Sequence, residues 1–333
     1  MKKHLQSLAL MSLLSSLLLV GAPSAFAQNA QLTGRVADQG GGVVVGATVT
    51  VTNIGTKIQT AAVTNDEGLY TIPLLPPGDY EVDVKAAGFR PVKRSGVKLD
   101  VQQVARVDIA LEAGQISDSV NITAGAQLTE PDTSSLGQVI ENKRINELPL
   151  NGRNPLELAR LTPNVNLQAT AFNDSRNFNI VSMSINGGPP GTNAILLDGS
   201  SATLPERNEY SVSPNVDAVQ EFKVQTNSYS AEFGLTGGGV INLVTKSGTN
   251  DFTGSLFEFA RNDAFDANRW DFNRRNLSKA KLRYHQFGGA IGGPLWLPKK
   301  VFGPAGYDGR NRSFFFFNYS PASTSDARRT RPI

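Results

Sequence analysis

The sequence predicts a mainly β protein with a small α+β part, laid out as successive regions behind an export signal. Three observations predict it. Apolar and polar residues alternate with period two in the first and last thirds of the chain, Gly- and Pro-rich turns separate the alternating runs, and helix-compatible spacing is confined to the middle.

The first segment is an address. Lys2 and Lys3 precede an apolar run from Leu8 to Val20, and Ala25-Phe26-Ala27 offers a small-residue cleavage site, so residues 1–27 are expected to be a secretory signal peptide and the mature chain to begin at Gln28. The apolar run is too short for a spanning helix, and no later stretch reaches about 18 uninterrupted apolar residues. Lys and Arg number 32 against 29 Asp and Glu, and two of the basic residues belong to the signal, so the mature chain is near balance. The clusters Lys93-Arg94, Arg274-Arg275 and Arg328-Arg329-Thr330-Arg331 read as solvated loops, and no nucleic-acid partner is expected. The chain has no cysteine and two histidines, His4 and His285. That leaves little for a Ser-His-Asp triad, a thiolate nucleophile or a two-His metal site, so no enzyme, catalytic residue, metal or cofactor is expected.

Residues 28–112 carry the clearest strand pattern. Ala47, Val49 and Val51 alternate with Thr48, Thr50 and Thr52; Tyr80, Val82 and Val84 alternate with Glu81, Asp83 and Lys85; Val107, Ile109 and Leu111 alternate with Asp108, Ala110 and Glu112. Each set lays apolar side chains on one face of a strand. Asn65-Asp66-Glu67-Gly68 and Pro76-Pro77-Gly78-Asp79 are turn signals at the spacing of a small β-sandwich. Asp66 and Glu67 lack the repeated oxygen ligands of a calcium loop and are assigned to the turn. "GRVADQGGGVVVGATVTVTN", "TNDEGLYTIPLLPPGDYEVDVKAAGF" and "VARVDIALE" resemble the carboxypeptidase regulatory-like domain. The resemblance implies a transthyretin-like β-sandwich of about seven strands, of a carbohydrate-binding-like class, serving either as a spacer or as a sugar-binding module. No exposed aromatic cluster suited to stacking on sugars is visible, which favours the spacer.

Residues 113–135, "AGQISDSVNITAGAQLTEPDTSS", have linker composition around one extended-looking patch, Asp118-Ser119-Val120-Asn121-Ile122-Thr123-Ala124. From 136 to 250 the texture becomes mixed. Leu156, Leu158, Ala159 and Leu161 suit a short helical segment capped by Asn154, opened by Pro155 and stopped by Pro163. "SMSINGGPPGTNAILLDG" reads as two short strands about a turn, and "VDAVQEFKVQTN" as a helical turn entering a strand.

"AEFGLTGGGVINLVTKSGTN" concentrates Gly234, Gly237, Gly238 and Gly239 ahead of a β-branched run. A phosphate loop of the Walker type needs its lysine directly after the last glycine; here Lys246 arrives seven residues after Gly239, and no helix follows to supply a dipole. The glycines are expected to make a bend or a close approach of backbones entering a strand.

Beyond 250, "FTGSLFEFA" sets Phe257 and Phe259 opposite Glu258, "HQFGGAIGGP" sets Phe287 and Ile291 opposite Gly288, Ala290 and Gly292, and "SFFFFNYS" is aromatic on both faces, as in a membrane-interface girdle. "VDAVQEFKVQTNSYSAEFGLTGGGVINLVTKSGTNDFTGSLFEFARNDAFDA", "INELPLNGRNPLELARLTPNV" and "INGGPPGTNAILLDG" resemble TonB-dependent outer-membrane receptors, in particular the Oar-like subgroup that carries a regulatory-like domain before its plug. The resemblance implies a plug domain over 136–250 and the first strands of a truncated transmembrane β-barrel over 251–333, with the bend at Gly234, Gly237, Gly238 and Gly239 leading from plug to barrel. It also implies the outer membrane and its lipid as surroundings, with sandwich and plug facing the periplasm. The implied partner is TonB of the TonB–ExbB–ExbD system, met through a TonB box. Asp118 to Ala124 matches such a box in position and character, and matches an ordinary linker or a last sandwich strand equally well. The implied activity is energised uptake of an oligosaccharide, a peptide or a metal chelate, without covalent catalysis. A secreted or surface carbohydrate-binding or adhesion module is the alternative. Plugged barrels have about 22 strands, whereas residues 251–333 suffice for roughly three or four, so the sequence is expected to be an N-terminal fragment.

Overall fold

The structure is a computed structural model that describes residues 29–114, 120–123, 133–148, 150, 153–168, 182–204, 209–210, 214–234, 236–279 and 281–326. The expected signal peptide, 1–27, lies outside the described residues.

The first region is a two-sheet sandwich. One sheet contains β1 (Ala30–Asp38), β4 (Leu69–Leu75), β7 (Val104–Arg106) and β8 (Ile109–Leu111); the other runs in the order β3 (Gln59–Val63), β2 (Thr48–Asn53), β5 (Gly78–Lys85), β6 (Val92–Leu99) and β9 (Val120–Thr123). The alternation read from the sequence sorts the side chains. Val49, Val51, Tyr80, Val82, Val84, Val97, Ile109 and Leu111 are all buried between the sheets with Leu32, Val36 and Ile72. Each such aliphatic side chain contributes about 1.5–3 kcal/mol of burial.

Two tyrosines tie core to backbone. The Tyr80 hydroxyl donates to the Pro76 carbonyl at 2.6 Å, and that of Tyr70 to the Val107 carbonyl at 2.7 Å. Burial, helped by Asp108, pushes the Tyr70 pKa up, so this donor stays protonated. Gly34 is required beside it: a Cβ there would sit 2.0 Å from the Val107 carbonyl oxygen. The closing strand is in two pieces, β7 and β8, which pair in parallel with successive stretches of β1. At the break, the Asp108 carboxylate accepts the Arg35 N–H at 2.8 Å, replacing a lost ladder bond. Asp66 and Glu67 lie in a turn in which the Asn65 side-chain oxygen accepts the Glu67 and Leu69 N–H groups, at 3.1 and 2.8 Å.

The middle region is built on a five-stranded sheet in the order β10 (Leu136–Glu141), β17 (Val219–Asn227), β18 (Val240–Thr245), β13 (Ala194–Leu197), β14 (Ser200–Ser201). Only the β13–β18 pair is parallel. The two strands expected about the Gly-Pro-Pro turn do form, but in different sheets. β12 (Ser182–Ile185) pairs with β11 (Val165–Gln168), while β13 joins the main sheet; β15 (Thr203–Leu204) and β16 (Glu209–Tyr210) make a further small pair.

Helix α1 (Asn142–Glu147) follows β10, and the expected helical segment is a 3-10 helix, Pro155–Leu161, whose first N–H groups include Leu156 donating to the Asn154 side chain at 3.0 Å. Ile145, Leu156, Leu158 and Ala159 bury against one face of the sheet, formed by Ile140, Phe222, Val224, Ile241 and Leu243. On the opposite face β17 is polar and yet buried, with Glu221, Lys223 and Gln225, beside buried Val240, Asn242 and Val244 of β18.

The third region is an open sheet of long strands. β19 (Thr253–Asn262) pairs with β20 (Leu282–Pro294), whose other edge takes β23 (Phe314–Tyr319) along one half and β24 (Ala322–Asp326) along the other. A small pair, β21 (Trp296–Leu297) and β22 (Tyr307–Asp308), closes the β20–β23 connection. Among the described residues no barrel closes, and no helix is long and apolar enough to cross a membrane.

Candidate functional site

The glycine stretch is fastened to the Gly-Pro-Pro-Gly-Thr-Asn turn across the sheet. Gly237 and Gly238 N–H groups both donate to the Thr192 carbonyl, at 3.0 and 3.3 Å, and Gly239 N–H donates to Asn193 Oδ1 at 3.0 Å. A phosphate cradle needs such N–H groups turned outward; here they are spent within the protein. Close approach is the reason for glycine. A Cβ on Gly238 would lie 2.2 Å from Asn193 Oδ1, and one on Gly239 would lie 2.7 Å from both the Gln225 carbonyl and the Ile185 side chain. A Cβ on Gly237 would meet only ordinary contact, and Gly234 has the Ala231 carbonyl 3.9 Å away. The bend delivers the chain into β18, inside the middle sheet; the crossing to the third region follows one strand later, between Thr245 and Thr253.

That crossing is pinned by residues that the sequence did not single out. The Asp198 carboxylate accepts the Thr245 N–H at 2.9 Å and its hydroxyl at 2.8 Å, fixing the end of β18. Asp198 can do so because it turns the chain in the left-handed region, φ 49°, directly before Gly199, φ 78°. Arg153, also left-handed at φ 51°, pairs with Asp217 at 2.5 Å and sets its guanidinium 3.8 Å from the Phe259 ring centre and 4.9 Å from that of Phe257. Asn215 donates to Asn318 at 3.2 Å. Burial pushes the Lys246 pKa down, against the opposing pull of Asp217.

These contacts define two faces of the third sheet. Phe257, Phe259 and Asn318 face the middle region. On the opposite face Leu256, Phe287, Ile291, Phe317 and Tyr319 are exposed, Leu256 to 92%. They are cross-strand neighbours through the pairs Leu256–Gly289, Ile291–Phe317 and Gly289–Tyr319, and with Phe252 they line one shallow apolar depression, Phe287 excepted. Glu258 and His285 lie farther along this face, 3.9 Å apart.

Of the extended patch Asp118 to Ala124, residues Val120, Asn121, Ile122 and Thr123 form β9, the outermost strand of its sheet, in parallel register with Val92 to Ser95 of β6; Asp118, Ser119 and Ala124 lie outside the described residues. The sandwich and the middle region also meet directly. The turn after β6 lies on the polar face of β17, where the Glu221 carboxylate accepts the Val101 N–H at 2.5 Å and Lys223 donates to the Gln102 carbonyl at 3.4 Å. Lys98 bridges Asp100 and Glu141. Nothing local in the sequence marks Glu221, Asp198 or Arg153, since each acts on a partner far along the chain.

The chain matches two families: residues 31–112 the one described as carboxypeptidase regulatory-like domain, and residues 244–330 the one described as outer membrane beta barrel domain. It is similar to the TonB-dependent transporter Oar of Myxococcus xanthus, with 28% identity over 292 residues, covering 84% of this chain and 26% of that protein. The chain thus spans about a quarter of the length of the curated relative it matches. Solved structures resemble it more faintly. The siderophore receptor PirA from Acinetobacter baumannii is 22% identical over 48% of this chain and 22% of that one, with a TM-score of 0.35. A hydroxyquinol 1,2-dioxygenase from Pseudomonas putida is 16% identical over 26% of this chain and 57% of that one, with a TM-score of 0.22. Likenesses this slight decide nothing about fold or activity.

Proposed function

We propose, on the premise that the chain is a relative of the TonB-dependent outer-membrane receptors of the Oar-like kind, that it serves energised uptake of a ligand across the outer membrane. In this reading the middle region is the plug, and the sheet from β19 to β24 is barrel wall. The observation that carries the reading is the two-sidedness of that sheet. One face is engaged by Arg153 and Asn215 of the plug, and the other presents Leu256, Phe287, Ile291 and Phe317 outward, with the Glu258–His285 pair farther along it. A wall between a polar lumen and lipid needs that arrangement, whereas a secreted adhesion module would have to leave the same side chains in water.

The strand edge at β9 is where TonB would engage. Val120 to Thr123 lie beside β6 as a last sandwich strand, and among the described residues no strand covers their outer edge, so that one row of backbone groups can take a partner strand; that edge supports reading Asp118 to Ala124 as the TonB box. The ligand belongs to the class of oligosaccharides, peptides or metal chelates. The chain's own residues do no bond chemistry in this reading; the plug blocks and then yields. The test replaces Val120 and Ile122 by proline in the receptor carrying a full barrel. Proline removes ladder N–H groups. Uptake of labelled ligand and capture of the TonB periplasmic domain should both be lost, with the protein still in the outer membrane. Undiminished capture would sink the assignment of the box, and undiminished uptake by a TonB-deficient host would sink the transport reading itself.

A further inference from the structure

The junction between sandwich and plug holds a carboxylate that neither fold requires. Glu221 is 4% exposed, on the polar face of β17, and its bond to the Val101 N–H links residues 120 positions apart. A glutamine would accept the same N–H with no charge to bury, and burying a charge is costly unless it is paired. The pairing available is poor. Asp100 and Glu141 are acidic neighbours; Lys98 is shared between both of them; Lys223, on the same strand and face, donates to Gln102; Arg144 of α1 acts on Glu141; and β18 places only Val244 opposite.

We propose that Glu221 is a proton-controlled latch between sandwich and plug, seating the Asp100–Gln103 turn on the plug sheet when it is protonated and loosening it when it is ionised. The surroundings agree with that role. Burial, with Asp100 next, pushes the Glu221 pKa up to about 7 from the ordinary 4.5, against the Val101 N–H and Lys98. The carboxylates of Glu141 and Asp100 outweigh burial and hold the Lys98 pKa up, and Lys98 holds that of Glu141 down, so this pair stays charged while Glu221 titrates. An acid whose docked pKa is raised binds its proton more tightly when docked. Docking is therefore strongest below the ordinary carboxylate range, weakens as pH rises from there, and reaches its floor above about 7. The docking equilibrium changes on the order of a hundredfold across that window, at tenfold per pKa unit.

The chain has no cysteine, so a label pair can be placed at will. Spin labels on Thr60→Cys in β3 and Lys143→Cys in α1, both exposed, report the separation of sandwich and plug in the full chain in detergent. At pH 5 one narrow distance is expected, and at pH 8.5 a broad distribution. Glu221→Gln should keep the narrow distance at both. Asp100→Asn, a turn residue outside both cores, should retain it to higher pH than the parent, and serves if the glutamine variant fails to fold. A parent distribution that does not change with pH overturns the latch, as does an unaltered pH response in a folded Glu221→Gln or in Asp100→Asn.

Discussion

The sandwich and the open sheet of the third region are written in the same period-two code and solve opposite problems. In the sandwich, Val49, Val51, Val82 and Val84 turn toward a second sheet and vanish from the surface. In the third region, Leu256, Phe287, Ile291 and Phe317 turn away from the rest of the protein, and their opposite numbers Phe257 and Phe259 receive an arginine. Alternation shows that a strand has two faces. Which face is covered, and by what, depends on the partner the sheet finds.

Substitutions can break or sharpen this contrast. The largest effect is expected in the sandwich core. Leu32→Ala, at a fully buried position, should cost about 2–5 kcal/mol, visible as faster hydrogen exchange across β1, β4 and β7. Leu256→Arg should leave the fold in detergent untouched but cost about 2–4 kcal/mol on transfer to a bilayer, read as reduced incorporation into lipid vesicles. An equal penalty in detergent would show that this face packs on protein, and the contrast would fail. At the bend, Gly239→Ala should destabilise the middle region by about 1–3 kcal/mol through overpacking, whereas Gly237→Ala should be near neutral; chemical denaturation followed by middle-region exchange separates them. The smallest loss expected of a removed contact is that of Thr245→Val, which leaves the Asp198 carboxylate without its hydroxyl donor and should cost about 1–2 kcal/mol in the same assay.

The strands themselves were legible because each depends on local spacing. The sandwich alternations, the turn at Asn65 to Gly68 and the Asn154 cap all appear where the spacing puts them. The break between β7 and β8 was not legible, because it depends on Asp108 replacing a backbone acceptor for a residue far away. The same holds for the 3-10 winding of Pro155–Leu161 and for β12 and β13 parting into different sheets. The contacts that pin the middle region to the third sheet were hidden for a related reason. Arg153 and Asp198 carry left-handed backbones without being glycine, and a sequence does not display φ.

By itself the sequence determined that this is a mainly β chain, where its strands run, and which side chains share a face, because a pleated backbone sends neighbours to opposite sides. Only the tertiary structure decided that one alternating face is buried and another bare, that β9 lies along β6, and that a carboxylate on β17 receives a backbone N–H from the sandwich. Those outcomes are set by contacts between residues far apart in the chain, which leave no periodic trace in either partner.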